Sequence, residues 1–370
     1  MRGVCSHWLF PRYSALGTRY FYPITVSRYH RQTLIIGNDG QSQLAAAHIA
    51  IVGMGALGCT SADLLARAGI GHITLIDRDL VELTNLQRQT LYTESDAANS
   101  MPKAEAARSR LAGINSSISL AAHIADLTPT NIETLIPPNT NLIIDGTDNF
   151  QTRYLLNDLA VKRAIPLCYG GVISTRGMQA TFLCDTNHPC LRCIFDSPPP
   201  PGTTPTCDTV GVIGPAVSII GATQAADAIK ILTGHSDLLS HTLLDFDLWS
   251  NTRRRLDLKA LKRPDCPACA QRHFEFLNDT SQQIASLCGQ NAIQLPGTLH
   301  RINLELLAAQ LLPLGRVSKN PFFVRLCPAI RPPGFEEDCE LTVFADGRAI
   351  VKGTNRPELA RATYARFVGQ

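Results

Sequence analysis

Short apolar runs alternate with amphipathic segments through the first half of the chain. The run His48–Val52 ends at a glycine, Leu57–Ala68 carries apolar residues on one helical face, and His72–Asp77 is a second apolar run that ends in an acid. This order predicts a strand, a helix and a parallel strand, joined by a right-handed crossover. Gly69 and Gly71 are typical of residues that end a helix.

The same alternation continues further along the chain. We expect helices at Lys103–Gly113 and Phe150–Arg163, and strands at Ser117–Ala122, Asn141–Asp145 and Ile165–Tyr169. Strands and helices that alternate in this way form an α/β fold, in which a doubly wound, Rossmann-like and mostly parallel sheet is covered by helices on both faces.

The pattern changes after Gly171. Gly177–Cys184 and His241–Leu256 resemble longer strands that extend the sheet in the antiparallel sense, and Gly214–Leu232 resembles a buried helix between them. The tract Asp196–Thr206 contains four consecutive prolines, which fit neither a helix nor a central strand. We therefore expect a crossing loop on the surface there.

The last part of the chain has its own pattern. A boundary is expected near Leu277–Ser281, after which Asn303–Leu312 and Pro357–Phe367 resemble helices. Phe322–Leu326 resembles a strand, and two apolar segments flank Asp346-Gly347. The Asp-Gly pair favours a type I′ hairpin turn. These features predict a small α+β module at the C-terminus.

The chain is thus divided into an extension (residues 1–26), a large α/β domain (27–278) and a C-terminal α+β module of unknown role (281–370). The extension contains three arginines and no acidic residue, a composition that targeting peptides share. Its amphipathic pattern is poor and it is rich in aromatic residues, which favours a loose extension instead.

Composition and charge exclude several classes of protein. Of the 370 residues, 45% are apolar and 18% are charged, an ordinary balance for a globular protein. The net charge of +3 is too small to indicate nucleic acid as a partner. No apolar run reaches the roughly 18 residues that a membrane span requires. We expect a soluble, cytoplasmic protein with neither nucleic-acid nor membrane partners.

Glycines follow the first predicted strand. Gly53, Gly55 and Gly58 lie between the first strand and the helix that follows it. Because glycine has no side chain, the backbone there can approach a phosphate closely, and the N-terminus of the helix supplies N–H groups. Asp77 ends the second predicted strand, in position to accept a hydrogen bond from a ribose hydroxyl. On these features alone a nicotinamide dehydrogenase is the leading interpretation, and a turn that binds no ligand is the alternative.

Polar and basic residues further along favour a triphosphate. The segment Asn85–Gln89 includes Arg88, and Lys103 stands at the head of the next predicted helix. Cations of this kind offset the charge that builds up on phosphorus and on leaving pyrophosphate. Asp148 and Asn149 follow a strand, where they suit Mg²⁺ and phosphates. Two alternatives assign these residues no part in binding. Arg88 and Lys103 would then be solvated surface charges, and Asp148-Asn149 would cap a helix.

Two cysteine pairs have the spacing of metal ligands. Cys190 and Cys193 form one Cys-x-x-Cys pair, and Cys266 and Cys269 form the second. Two thiolates of one tight turn can reach the same ion, and four fill the tetrahedral shell of Zn²⁺ without leaving an open position. The spacing therefore predicts a structural zinc knuckle, with redox pairs or disulfides as alternatives.

From Arg28 to about Gln271 the chain resembles the MoeB/ThiF/HesA family of adenylyltransferases and the adenylation domains of ubiquitin-activating enzymes. The matching segments are Arg28–Gln32, Gly53–Gly58, Asp77–Asp79, Asn85–Gln89, Pro102-Lys103, Asp145–Asn149, both cysteine pairs and Cys207–Pro215. The resemblance implies ATP-dependent adenylylation of the C-terminal glycine carboxylate of a ubiquitin-like sulfur-carrier protein. That carrier would be MoaD- or ThiS-like and end in Gly-Gly, and would serve molybdopterin or thiamine biosynthesis.

The resemblance also implies roles for individual residues. Asp77 would hold the ribose, and Lys103 and Arg88 would contact phosphates. Asp148 would organise Mg²⁺, with Asn149 beside it. The other residues of the ATP site would be Gly53, Gly55, Ala56, Gly58, Thr84, Asn85, Leu86 and Gln87. Of these, Ala56 stands where relatives frequently carry glycine.

Three further expectations follow from the resemblance. Arg31 resembles an arginine that family members insert into the ATP site of the neighbouring subunit, which implies a homodimer. Cys207 stands where some relatives bond covalently to the carrier and others do not need a thiol, so both roles stay open. We find no persulfide-loop signature of a fused rhodanese, so a separate protein would donate the sulfur. A dinucleotide-dependent oxidoreductase and a non-catalytic scaffold are the alternatives to adenylylation.

Overall fold

The computed structural model describes residues 12–13, 19–20, 27–199, 207–279, 285–287, 291–297 and 301–369. Most of the predicted extension (1–26) and part of the predicted crossing loop (200–206) lie outside these residues. Within the extension, β1 (Arg12–Tyr13) and β2 (Arg19–Tyr20) form an antiparallel pair. The other strands form two sheets. Among the described residues, no helix is both long and apolar enough to cross a membrane.

The larger sheet has eight strands. They are β3 (His48–Val52), β4 (His72–Ile76), β5 (Ser119–His123), β6 (Leu142–Asp145), β7 (Leu167–Ile173), β8 (Arg176–Phe182), β9 (Thr242–Asp247) and β10 (Thr252–Asp257). Their order across the sheet is β10-β9-β8-β7-β6-β3-β4-β5. The five strands from β7 to β5 run parallel, and β8, β9 and β10 add to them in the antiparallel sense. The predicted parallel sheet with an antiparallel extension is confirmed.

Helices cover both faces of this sheet. The helices of this part of the chain are α1 (His30–Ala46), α2 (Ala56–Ala68), α3 (Glu94–Ala98), α4 (Lys103–Ile114), α5 (Ile132–Leu135), α6 (Phe150–Arg163), α7 (Leu191–Ile194), α8 (Cys207–Val210), α9 (Gly214–Leu232) and α10 (Glu275–Asn278). Alternate residues of β3 face opposite sides because strand side chains alternate. Ile49 and Ile51 pack in a core with α2, α4 and α9, whereas Ala50 and Val52 pack in a core with α6.

The smaller sheet lies at the C-terminus. Its strands are β11 (Ala285–Leu287), β12 (Ala292–Leu295), β13 (Gly315–Lys319), β14 (Phe323–Pro328), β15 (Glu340–Phe344) and β16 (Ala349–Lys352). They are antiparallel, in the order β11-β12-β16-β15-β14-β13. Helices α11 (Leu304–Leu311) and α12 (Pro357–Phe367) pack on one face. The other face packs on Leu80 and Ile124 of the larger sheet's loops.

Two predicted features are wrong. The segment His241–Leu256 is a hairpin of β9 and β10 and not one long strand, and Asn251 in its turn has a positive φ of 53°. The Asp346-Gly347 hairpin exists, but a type I′ turn requires positive φ at both central residues. Only Gly347 has one, at 82°, and its N–H donates to the Phe344 carbonyl oxygen at 3.0 Å. This pattern is that of a type I turn followed by a left-handed glycine.

Candidate active site

The glycine turn between β3 and α2 is too tightly packed for side chains at two of its positions. Gly53 has φ of 84°, and a Cβ there would lie 2.7 Å from the carbonyl carbon of Gly146. A Cβ on Gly58 would lie 1.9 Å from the Gly53 oxygen. At Gly55, by contrast, the nearest atom to such a Cβ is 4.0 Å away, on Gln89. The turn therefore packs against β6 on one side and leaves open space in front of α2.

That open space is suited to an anion. Gly55 is the N-cap of α2, and Ala56 is the first residue of the helix. A glycine cap has no side chain to accept hydrogen bonds from the first N–H groups, and these carry the positive end of the helix dipole. The turn and the helix together fit the phosphates of a nucleotide.

Asp77 ties the glycine turn to the loop after β4. Its Oδ2 accepts a hydrogen bond from the Met54 N–H at 2.6 Å, and its Oδ1 accepts one from the Asp79 N–H at 2.7 Å. Burial raises the pKa of Asp77 to about 6, although the Lys103 charge acts in the opposite direction. The carboxylate lies at the end of its strand, as predicted for a ribose ligand.

Lys103 is the buried cation of the site. It begins α4, is 8% exposed, and its Nζ lies 3.0 Å from Oδ2 of Asp79. Burial alone would lower the pKa of Lys103, but Asp79 and Asp77 outweigh it and raise the pKa. The Asp148 carboxylate raises the pKa of Lys103 further, as the last and smallest of these contributions. The lysine is therefore charged, and a solvated surface position for it is ruled out.

Asp79 and Tyr92 hold Lys103 in place, and neither was predicted from the sequence as a site residue. Burial raises the pKa of Asp79, but Lys103 and Arg78 outweigh it and lower that pKa to about 2. The hydroxyl of Tyr92 donates to the Met54 carbonyl oxygen at 2.6 Å and lies 3.1 Å from the Lys103 carbonyl oxygen. Asp79 lies inside the Asp77–Asp79 segment that matches the family, so the sequence carries a signal for it, whereas nothing in the sequence marks Tyr92.

Asp148 and Asn149 both follow β6, but their side chains have different environments. Asp148 is exposed at the edge of the sheet. Asn149 is the N-cap of α6, and its Oδ1 accepts a hydrogen bond from the Thr152 N–H at 2.8 Å. The helix-cap interpretation therefore holds for Asn149, while the Asp148 carboxylate faces solvent and is available to a cation.

The loop before α3 approaches the glycine turn, since Gln89 is the residue nearest to the open space at Gly55. Asn85 is buried and its Oδ1 accepts from the Glu82 N–H at 3.0 Å, whereas Thr84 and Gln87 are exposed and Leu86 is half-buried. The Arg88 guanidinium donates to the Thr84 carbonyl oxygen at 3.0 Å, and so rests on its own loop. Gln87 donates to the Val212 carbonyl oxygen at 3.3 Å, which joins this loop to the segment after Cys207.

Arg31 lies away from the glycine turn of its own chain. It is exposed on the first turn of α1, close to the exposed side chains of Leu34 and Ile35. Its neighbour Gln32 donates to the Ala68 carbonyl oxygen at 2.9 Å, and Ala68 ends α2. At about 1.5 Å per residue, the length of α2 separates that end from the glycine turn by roughly 20 Å.

Cys207 begins the short helix α8, directly after the part of the crossing loop that lies outside the described residues. The backbone beyond it is anchored, because Val212 forms a bridge with Ser174. Gly214 then lies next to the nucleotide loop, where an added Cβ would be 3.3 Å from the Gln87 oxygen. The α8 turn is therefore separated from the site by only a few residues of chain.

The four cysteines of the predicted knuckle come together. Cys190 and Cys266 have sulfurs 3.7 Å apart, Cys193 and Cys269 have sulfurs 3.5 Å apart, and all four sulfurs lie within 4.8 Å of one another. A tetrahedral ion with metal–sulfur bonds of about 2.3 Å requires sulfurs about 3.8 Å apart. Two disulfides would require about 2.05 Å. The geometry fits a metal ion and excludes the disulfide alternative.

Together, these elements define an α/β protein whose glycine turn, buried lysine and aspartates lie at the carboxyl ends of adjacent parallel strands, an arrangement suited to a nucleotide. The model of the ThiF family matches residues 29–268, and the chain belongs to that family. The resemblance read from the motifs is confirmed. The dehydrogenase interpretation of the glycine turn is wrong.

Two curated relatives are similar over different lengths. The sulfur carrier protein ThiS adenylyltransferase of Bacillus subtilis is 41% identical over 347 residues, which are 92% of this chain and 99% of the relative. The sulfur carrier protein adenylyltransferase of Thermus thermophilus is 38% identical over 250 residues, 66% of this chain and 90% of the relative. The first match includes most of the C-terminal module, since only 8% of this chain lies outside it.

Solved structures agree on the fold. The crystal structure of Escherichia coli MccB with ATP superposes with a TM-score of 0.58 at 23% identity. The match covers 66% of this chain and 75% of that chain.

Proposed function

We propose that this protein adenylylates the C-terminal glycine carboxylate of a ubiquitin-like sulfur-carrier protein. The observation that carries the proposal is the meeting of the glycine turn, the Lys103–Asp79 pair and Asp148 at the ends of adjacent parallel strands. Both curated relatives are sulfur-carrier adenylyltransferases by name. Similarity to the ThiS adenylyltransferase over 99% of its length favours a ThiS-like carrier over a MoaD-like one.

In the proposed reaction, a carboxylate oxygen of the carrier attacks the α-phosphorus of ATP in line, and pyrophosphate leaves. No general base is required, because the carboxylate is already ionised near neutral pH. The protein would contribute alignment and fixed positive charge. The turn at Gly53–Gly58 and the N-terminus of α2 would hold phosphates, Asp77 the ribose, and Lys103 and Arg88 the charge of the leaving group. Thr84, Asn85, Leu86 and Gln87 would line the site.

Asp148 would hold Mg²⁺, with Asn149 fixing the loop by capping α6. A magnesium ion, when bound, neutralises phosphate charge and leaves the α-phosphorus open to a nucleophile. The exposed Asp148 carboxylate supports this role, because its loop packs against the glycine turn at Gly146 and Thr147.

The cysteine cluster would hold a structural Zn²⁺ ion, because four thiolates leave no position for a substrate. The sulfur would come from a separate donor protein. We infer a cytoplasmic location from Cys59, Cys168 and Cys184, which are buried free thiols of the kind that persist in reducing compartments. We divide the chain functionally into the domain 27–278, which carries the site, and the module 281–370.

The two roles of Cys207 predict different results. If the thiol bonds to the carrier, Cys207→Ser retains ATP–pyrophosphate exchange but loses the covalent adduct with the activated carrier. If the thiol has no part in the reaction, the variant retains both exchange and sulfur transfer.

The test of the proposal is carrier-dependent ATP–pyrophosphate exchange. A ThiS-like carrier with a free Gly-Gly terminus is expected to support exchange, and the same carrier lacking its last glycine is not. Asp148→Ala is expected to abolish exchange while thermal unfolding and metal content stay unchanged. Exchange by this variant at the normal rate would remove Asp148 from the site. No exchange with any small ubiquitin-like carrier would favour the scaffold alternative.

A further inference from the structure

Arg348 of the C-terminal sheet reaches into the loops that carry the nucleotide site. Its side chain is buried, at 3% exposed, although it lies beside a hairpin turn. One guanidinium nitrogen donates to the Arg78 carbonyl oxygen at 2.8 Å, and another donates to the Ile124 carbonyl oxygen at 3.3 Å. Arg78 follows β4 and Ile124 follows β5, so this single side chain joins the ends of two adjacent parallel strands.

The stretch 78–82 is held by the C-terminal sheet at three successive points. Arg348 binds the carbonyl of Arg78, Leu80 packs against the apolar face of the sheet, and Lys352 lies 3.2 Å from Glu82. That apolar face consists of Ala292, Phe323, Phe344 and Ile350. The guanidinium carbon of Arg348 also lies 3.9 Å from the centre of the Phe344 ring. The C-terminal sheet therefore contacts this stretch at alternate residues, from its first to its last.

On its other side, the same stretch contacts Lys103, the candidate catalytic lysine at the start of α4. The Lys103 N–H donates to the Asp79 carbonyl oxygen at 2.9 Å, and the Lys103 ammonium donates to Asp79 Oδ2 at 3.0 Å. The Val81 N–H donates to the Met101 carbonyl oxygen at 2.8 Å. Asp79 therefore stands between the C-terminal sheet and Lys103, and a shift of its backbone would move the lysine.

We propose that Arg348 is a positioning residue of the nucleotide site and that the C-terminal module forms the outer wall of the Asp77–Asp79 loop. This assigns the module a role in binding ATP. A buried guanidinium donates to these two backbone carbonyls from two nitrogens of one rigid plane, and so holds both carbonyls in one geometry. The proposal rests on the proposed function only for the KM values, which require the exchange reaction. The Kd for ATP is measured without a carrier.

The experiment compares Arg348→Gln with Arg356→Gln in the full-length protein. Arg356 belongs to the same module but is exposed and pairs with Glu358 at 3.0 Å, so it is the matched control. Arg348→Gln is expected to raise the Kd for ATP and the KM for ATP about tenfold and to leave the KM for the carrier within about twofold. Arg356→Gln is expected to change none of these. A variant that merely loosened the module would unfold at lower temperature with an unchanged Kd for ATP.

A double-variant cycle tests the route through Asp79. In the Asp79→Asn background, Arg348→Gln is expected to change the Kd for ATP by less than about twofold, because residues that act through one another are not additive. An unchanged Kd in the single variant, or a full effect in the Asp79→Asn background, would overturn the proposal. If Arg348→Gln does not fold, Arg348→Lys is the second variant, because it keeps the positive charge but lacks the planar fork of donors, and an intermediate Kd for ATP is expected.

The cycle also separates this proposal from the proposed function. An Arg348-dependent Kd for ATP in a protein that activates no carrier would leave the positioning role standing and remove the carrier assignment. A protein that binds no ATP would remove both.

Discussion

The ammonium group of Lys103 lies 3.0 Å from Oδ2 of Asp79, and the two residues also share a backbone hydrogen bond of 2.9 Å. The lysine begins a helix, while the aspartate belongs to the loop after β4. The pair therefore fixes a positive charge in front of the glycine turn before any substrate arrives. Such fixed charge needs no reorganisation during the reaction.

We expect Asp79→Asn to lower the exchange rate by about 10- to 100-fold, and Lys103→Ala to lower it by about a thousandfold, because the second change removes the cation itself. Asp63→Asn is the control, since it breaks an exposed ion pair with Arg67 of 2.9 Å and should change the rate less than about twofold. Equal rates for the Asp79 variant and the wild type would show that the pair has no catalytic role.

The glycine turn gives a second prediction. In Gly58→Ala the new Cβ would overlap the Gly53 oxygen, so α2 must shift, and we expect ATP binding to weaken at least about 100-fold with a loss of about 1–3 kcal/mol of stability. Gly113→Ala is the control, because an added Cβ meets no atom within 4 Å there. That helical substitution should stabilise by up to about 1 kcal/mol and leave ATP binding intact. Calorimetry measures the affinity of each variant for ATP, and thermal unfolding measures its stability. Normal ATP binding by Gly58→Ala would contradict the phosphate-binding role of the turn.

Mixing variants tests the proposed homodimer. If Arg31 completes the site of the neighbouring subunit, Arg31→Ala and Asp148→Ala proteins are each inactive. Unfolding and refolding them together at equal amounts should then restore about a quarter of wild-type exchange, since about half the dimers are mixed and each has one intact site. If Arg31 serves its own chain, no activity returns.

Removal of the metal is expected to destabilise the fold. Zinc analysis should find about one ion per chain, and Cys266→Ser should lose it together with several degrees of thermal stability. Cys327→Ser is the control, because Cys327 lies outside the cluster in the C-terminal sheet. A folded wild-type protein without bound metal would refute the structural role of the cluster.

Asp158 predicts a pH dependence of stability. It is fully buried on α6, its Oδ2 accepts from the Phe276 N–H at 3.0 Å, and its Oδ1 has no hydrogen-bond partner within the described part of the chain. Burial raises its pKa from 3.8 to about 6. Its contribution to stability is therefore fully present below pH 3.8 and is lost as the pH rises through about 6.

We expect Asp158→Asn to gain stability over the wild type as the pH rises from 4 to 7, reaching about 1–3 kcal/mol at pH 8. Urea unfolding at pH 4 and at pH 8 measures the difference. A difference that does not change with pH would mean that the carboxyl is equally ionised in the folded and unfolded states.

The larger sheet was predictable from the sequence because each element carries its own local signals. The helix Phe150–Arg163 was predicted with its observed bounds, and Asn149 marks its start as a cap. Gly214–Leu232 was likewise predicted with its observed bounds, and Pro215 stands in its first turn. The β9–β10 hairpin was missed because its turn residue with positive φ is Asn251, so the turn has no glycine to mark it.

The residues of the candidate site were predictable from the sequence, but the contacts that they make with one another were not. Asp77, Lys103 and Asp148 were each recognised from motifs, yet their arrangement depends on strand order across the sheet. Asn149 illustrates the limit, since capping α6 and lying beside a metal ligand give the same sequence signal. Arg348 carried no signal, because a charged residue beside a hairpin turn ordinarily faces solvent and its partners lie far away in the chain.

The Arg348 contact has a consequence for the time at which the protein becomes functional during synthesis. Gly53, Asp77, Lys103 and Asp148 all leave the ribosome in the first half of the chain, and that half could begin to assemble alone. The loop beside Asp77 gains its outer wall only when β16 has emerged. A nascent chain that lacks β16 would therefore have most residues of the proposed ATP site but not their final geometry. Full affinity for the nucleotide would then be reached only when synthesis of the C-terminal sheet is complete.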